Sequence, residues 1–165
     1  MFKHILVPID GSPTSQLAIE KAISLAKAFD SKVTAIFVID PYPFTGVGTD
    51  FAYGQTQYLS AASAEANAAI KSAKEIFTAA GVAVDTAIVE SSNAWRGIVQ
   101  KAASAQTDLI VIGSHGRSGL EKLILGSVTQ AVSANEFGMK TAELPAGRYA
   151  VIRREVSRDT MNDSI

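Results

Sequence analysis

Cysteine is absent from the 165 residues, which removes disulfides, thiolate metal sites and thiol nucleophiles and leaves a reducing compartment permitted. A surplus of either charge is missing too. Fifteen Lys and Arg stand against sixteen Asp and Glu, a formal charge of −1, so no global field would recruit nucleic acid or an anionic membrane. A polyanion would need a local site. No stretch approaches the roughly 18 consecutive apolar residues of a spanning helix. The apolar run after Lys3 is broken at Asp10, too early for the core of a signal peptide. The expectation is a soluble, cytoplasmic protein with no nucleic-acid and no membrane partner. No glycine-rich loop ends in Gly-Lys-Ser or Gly-Lys-Thr, so P-loop phosphate chemistry is disfavoured.

What is present is core-forming material: 47% of the residues are hydrophobic and 19% charged, which supports one packed domain over residues 1–165. The run Ile5-Leu6-Val7-Pro8-Ile9 reads as a buried strand closed by Asp10-Gly11-Ser12, with Pro13 at the first position of a helix. From Leu17 to Phe29 the apolar residues largely keep a 3.6 period, and Lys32 to Ile39 is almost continuously apolar, as in a strand covered on both faces. A polar and aromatic stretch from Asp40 to about Ser60 reads as a long connection. After it come a helix over Ala61 to Ala80 stopped by Gly81, a strand over Val82 to Val89, a helix over Ala94 to Ala105 with Asn93 as its cap, and a strand over Leu109 to Ile112. Strands alternating with helices predict a doubly wound α/β domain: a mainly parallel sheet with right-handed crossovers and helices on both faces.

Directly after the fourth strand comes Gly113-Ser114-His115-Gly116-Arg117-Ser118-Gly119, and a little later Gly126-Ser127-Val128-Thr129. Glycines let backbone amides approach a phosphate, and hydroxyls at a helix start add donors to free N–H groups and the positive dipole end. A turn followed by a capped helix reads the same residues without a ligand. The spacing Gly113-x2-Gly116-x9-Gly126-Ser127 resembles the nucleotide motif of the universal stress protein family. Ile5 to Ser12 is similar to that family's first strand and turn, and Phe37-Val38-Ile39-Asp40 to the end of its second; the match runs to about Gln130. The resemblance implies a five-stranded, Rossmann-like α/β domain, homodimeric, in a branch that binds ATP with Mg2+ carried on the phosphates. It implies a site of Pro8, Ile9, Asp10, Val38, Ile112, Gly113, His115, Gly116, Arg117, Gly126, Ser127, Val128 and Thr129. In that site Pro8, Val38 and Ile112 would line the adenine slot and Asp10 would hold the ribose or the adenine edge. The glycines, His115, Ser127, Val128 and Thr129 would surround ribose and phosphates. Members usually pass through a short proline-containing connection into a terminal apolar strand. Here Asn135 to Gly147 intervenes, the nearest candidate is Tyr149-Ala150-Val151-Ile152, and residues 135–165 are atypical, with a mixed-charge tail that is a candidate for disorder.

Single residues carry alternatives. Asp10 could equally cap the first helix. His115 has an imidazole suited to acid chemistry, but nothing adjacent in sequence orients it, so no catalytic residue and no metal ligand is assigned. Arg117 could pair with a phosphate or lie solvated. Tyr42, Phe44, Phe51, Tyr53 and Tyr58 gather in the long connection, which reads as a lid or an interaction surface. Trp95 reads as a packing residue and His4 as structural. The functional expectation is a nucleotide-binding regulatory module of a stress response, read by a protein partner not specified by the sequence. Competing readings are a slow ATP hydrolase or phosphotransferase and a structural dimer without ligand. An enzyme would need a group to position water or acceptor, and none is visible.

Overall fold

A strand that is paired on both edges and covered on both faces must be apolar throughout, and Ile5, Leu6 and Val7 are each completely shielded from solvent. They belong to β1 (His4–Pro8), the centre of the sheet. The computed structural model describes residues 2–40, 49–113, 139–143 and 149–154, with side chains over 2–40 and 54–113. Beyond β1 the order is α1 (Pro13–Phe29), β2 (Lys32–Ile39), α2 (Thr49–Ala79), β3 (Val84–Glu90), α3 (Ala94–Ser104), β4 (Leu109–Gly113), β5 (Met139–Glu143) and β6 (Tyr149–Arg154). The strands lie in the order β3-β2-β1-β4-β6-β5: the first four are parallel, β6 pairs antiparallel with β4, and β5 pairs antiparallel with β6.

Side-chain alternation splits the core into two layers. Ile5, Val7, Val33, Ala35, Phe37, Leu109 and Val111 pack with Ala18, Ala22 and Ala26 of α1 and Ala66, Ala73 and Phe77 of α2. On the other face Leu6, Ile36, Ile110 and Ile112 pack with Ile98, Val99 and Ala102 of α3. The doubly wound α/β architecture expected from the alternation of elements is therefore the observed one.

Local chemistry sets the boundaries. Ser12, in extended conformation, caps α1 by accepting from Ser15 N at 3.3 Å, and Pro13 opens the helix without an N–H to satisfy. Asp10 therefore does not fill the cap position. Gly81 takes a positive φ of 78° after α2, and Val82 N donates back to Phe77 O at 2.9 Å. Strand β3 starts at Val84 and not at Val82, whose side chain is already buried before pairing begins.

Two departures from the sequence reading stand out. Helix α2 begins at Thr49 and not at Ala61, because the shielded positions Tyr58, Leu59, Ala62, Ala66, Ala69, Ile70, Ala73 and Phe77 keep the helical period upstream of the alanine-rich part. Tyr58 is thus helical, while Tyr42 and Phe44 and the side chains of Phe51 and Tyr53 lie outside the described residues. The strand candidate at Tyr149 to Ile152 is β6, and it pairs antiparallel with β4, with Ile110 opposite Ile152. A sixth strand, β5, which the sequence reading did not single out, pairs with β6 as Ala142 opposite Val151.

The amino end of the sheet is tied by polar groups. Asp108 accepts from Lys3 N at 2.9 Å and from His4 N at 3.0 Å, and Asp108 N donates to His4 O at 3.1 Å. The His4 ring faces Ala105 O through Nδ1 at 3.0 Å, so Nδ1 is the donor, and its Nε2 meets Thr34 Oγ1 at 2.7 Å. His4 is structural, as its place at a strand start suggested. Since Phe77 is the largest fully buried side chain among the described residues, Phe77→Ala should cost about 3–5 kcal/mol by leaving a cavity between α2 and the sheet. Urea unfolding followed by circular dichroism would show it, and thermal unfolding should show a fall in Tm of roughly 10 °C.

Candidate functional site

In an open parallel sheet the chain reverses its direction of winding where consecutive connections move to opposite sides, and ligands bind outside the carboxyl ends there. The order β3-β2-β1-β4 puts that point between β1 and β4. The backbone shows why a crevice forms. Odd-numbered residues at either end of β1 face β2, since Lys3 O accepts from Lys32 N at 2.9 Å and Ile9 N donates to Ile36 O at 2.8 Å. Even-numbered residues face β4, as His4 O does toward Asp108 N. Pro8 is even-numbered, so the N–H it lacks is missing on the β4 side. Pairing of β1 with β4 accordingly covers Ile5 with Leu109 and Leu6 with Ile110 and goes no further.

Thr14 and Ser15 of α1 close one side of this opening. A Cβ on Gly113 would sit 2.9 Å from Thr14 Oγ1, 3.0 Å from Thr14 C and 3.1 Å from Ser15 N, so only glycine lets the end of β4 approach the first turn of the helix. The α3 side carries different chemistry. By strand alternation Pro8 shares the face of Leu6, and Val38 and Ile112 pack in the α3 layer. Pro8 pairs with Ile36, and extending the register sets Asp10 beside Val38. Pro8 and Ile112 are buried and Val38 half-buried, an apolar strip across three strand ends.

Asp10 opens the turn after β1. Its Oδ1 accepts from Ser12 N at 2.9 Å, Gly11 between them has a positive φ of 79°, and Ser12 Oγ lies 3.1 Å from Thr14 Oγ1. Among the described residues only Oδ1 of this carboxylate is engaged, and the side chain is half-exposed. The turn thus orients a carboxylate at the rim of the apolar strip. A flat apolar ring with a hydroxyl or amine on its edge fits such a pair, because a carboxylate only accepts hydrogen bonds.

Of the residues singled out from the sequence, Pro8, Asp10, Val38, Ile112 and Gly113 gather at this end of the sheet. Ile9 is adjacent in the chain, but its side chain is 5% exposed and packs in the opposite layer with α1 and α2. His115, Gly116, Arg117, Gly126, Ser127, Val128 and Thr129 lie outside the described residues. The sequence reading overlooked Thr14 and Ser15, whose signal was only the close approach that Gly113 permits, and also Ser91 in the β3–α3 turn and Gly97 in the first turn of α3. Trp95 is half-buried against the α3 layer, with the Arg96 guanidinium 5.2 Å from the centre of its ring, in keeping with a packing role. Among the described residues no cluster of three or more His, Asp or Glu is arranged to hold a metal, and no helix is long and apolar enough to cross a membrane.

Residues 1–135 match the model of the universal stress protein family. The chain belongs to that family. A universal stress protein of Methanocaldococcus jannaschii is 38% identical over 135 residues, 82% of this chain and 78% of the relative. The solved universal stress protein UspA of Lactobacillus plantarum has a TM-score of 0.71 at 25% identity, over 80% of this chain and 90% of that one. A universal stress protein solved in complex with cAMP shares the fold at a TM-score of 0.58 and 23% identity, over 80% of this chain and 90% of that one.

The tight approach at the switch point of this universal stress protein can be measured as stability. Gly113→Ala should destabilise by about 1–3 kcal/mol, because two of the atoms in the way are backbone and cannot rotate aside. Gly54→Ala, in α2 where a Cβ meets nothing within 4 Å among the described residues, should instead stabilise by about 0.5–1 kcal/mol. Urea titration of both variants against the parent checks the opposite signs.

Proposed function

We propose that this universal stress protein binds an adenine nucleotide, ATP with Mg2+ carried on its phosphates, and acts as a cytoplasmic, homodimeric regulatory module. Nucleotide occupancy would be read by a protein partner. The observation that carries the reading is the apolar strip of Pro8, Val38 and Ile112 at the switch point with the Asp10 carboxylate at its rim. In this reading the adenine ring lies on the strip and Asp10 accepts from a ribose hydroxyl or the adenine amine. Ile9 enters this reading only as the residue that carries the chain on to Asp10, since its side chain is in the other layer and its N–H donates to Ile36 O at 2.8 Å. Gly113, His115, Gly116, Gly126, Ser127, Val128 and Thr129 would surround ribose and phosphates, as the family resemblance implies, and Arg117 would pair with a phosphate. The cAMP complex of a protein with the same fold supports an adenine ligand for the architecture.

Binding without fast turnover is the expected behaviour. Donors that hold ground state and transition state alike leave the barrier where it was. Within this reading, His115 is a ligand-side residue and not a general base.

Calorimetry should give micromolar affinity for ATP, roughly −8 kcal/mol. Hydrolysis in the same sample should stay below about 1 s⁻¹, the low end of ordinary enzyme rates. No heat and no competition with a fluorescent adenine nucleotide at millimolar ATP, with the protein folded, overturns the reading. Asp10→Ala should weaken ATP, ADP and adenosine alike, by about tenfold for one lost charge-assisted hydrogen bond. Gly126→Val should penalise ATP most and spare adenosine, because a side chain there would keep the phosphates from the amides of Ser127 and Val128.

A further inference from the structure

Helix α3 contains a glycine that its own helix does not want. Gly97 is the fourth residue of Ala94–Ser104, where its N–H donates to Asn93 O at 3.1 Å, and it is buried; glycine in a helix costs up to about 1 kcal/mol relative to alanine, so a reason must lie in what it packs against. A Cβ on Gly97 would come within 3.0 Å of Ser91 Cβ, 3.2 Å of Val38 Cγ1 and 3.5 Å of Ser91 Oγ. Both neighbours stand at the carboxyl end of the sheet, next to the apolar strip. They are held very differently. Ser91 N donates to Ile39 O at 2.9 Å, Ser91 Oγ donates to Asn93 O at 2.8 Å, and Asn93 N donates to Ser91 Oγ at 3.3 Å. Those bonds fix the β3–α3 turn to the end of β2. The isopropyl group of Val38 is held by packing alone, half-buried in the α3 layer, at the register position that continues to Asp10.

We infer that Gly97 is a positioning residue for the base end of the proposed nucleotide site: by having no side chain it lets α3 close on β2 and leaves Val38 seated where it can line the adenine ring. The inference rests on the adenine reading and names a determinant outside the residues that touch the ligand. A methyl group at 97 needs a few tenths of an ångström. The tied turn resists, so the displacement falls on Val38, whose β-branched side chain has few rotamers to choose from. Val38 then moves out of line with Pro8 and Ile112, and the flat surface offered to the ring is broken.

The test is a double-mutant cycle on binding. Wild type, Gly97→Ala, Val38→Ala and the double variant are titrated with ATP and with AMP, after circular dichroism and urea unfolding establish that each is folded. Gly97→Ala should weaken ATP and AMP by the same factor, about tenfold, the scale of overpacking a fitted site. The double variant should bind no worse than Val38→Ala alone, since the colliding methyl is gone. Where Gly97→Ala does not fold, recovery of the fold in the double variant supports the same contact, and failure of both variants to fold overturns it. Wild type that binds neither nucleotide overturns the adenine reading and this inference together. Wild-type binding with Gly97→Ala within twofold of it overturns the inference alone. So does a loss confined to ATP, or a double variant in which the two losses multiply, which would route the strain through the Ser91 turn.

Discussion

A central parallel strand has to be paired on two edges and covered on two faces, and β1 does this with five residues. Its odd-numbered side chains enter the layer of α1 and α2 and its even-numbered ones the layer of α3, while its backbone serves β2 on one edge and β4 on the other. Everything placed at the carboxyl end depends on how that arrangement stops. Pro8 ends it asymmetrically, because the missing N–H lies on the β4 edge while the β2 edge goes on to Ile9. The crevice is therefore a property of one residue's backbone chemistry as well as of the strand order.

Glycine sets the width of the same region from two directions. Gly113 lets the end of β4 reach the first turn of α1, and Gly97 lets α3 reach the end of β2. One closes the α1 side and the other seats the α3 side, so among the described residues two close approaches, each allowed by a missing Cβ, flank Pro8, Val38 and Ile112. Under the proposed reading, surfaces fixed by the fold's own packing would leave little to reorganise on binding.

Legibility in the sequence followed the strength of the local pattern. The apolar runs of β1, β2 and β4 had one interpretation, and the turn from Asp10 to Pro13 carried its punctuation openly. The helix start at Thr49 was obscured because the upstream turns hold polar and aromatic residues, and only the buried positions from Tyr58 to Phe77 expose the common period. Strand β5, Met-Lys-Thr-Ala-Glu, is too short and polar to announce itself, since it exists by pairing with β6. At the site, the grouping of Pro8, Val38 and Ile112 came from the family resemblance, and strand parity in the structure accounts for the face they share. That Ile9 belongs to the other layer follows from the same parity, which a motif read as a block conceals. The contacts of Gly113 with Thr14 and of Gly97 with Val38 join residues far apart in sequence, and no local pattern carries them.

The antiparallel hairpin of β6 and β5 has a consequence for the order in which the chain is made. Strands β1 to β4 and the helices between them are complete by residue 113, and they can pair with one another as they leave the ribosome. At that moment β4 is a boundary: Leu109, Ile110, Val111 and Ile112, all apolar and β-prone, present one unpaired edge to the surroundings. A strand of this composition is a template for any extended chain nearby. Strand β6 later occupies that edge, and the hairpin transfers the boundary to β5, whose Lys140, Thr141 and Glu143 make a poorer template. The late-arriving hairpin thus serves as the sheet's protective hem, and until it is synthesised a chain that has folded as far as β4 carries that edge open.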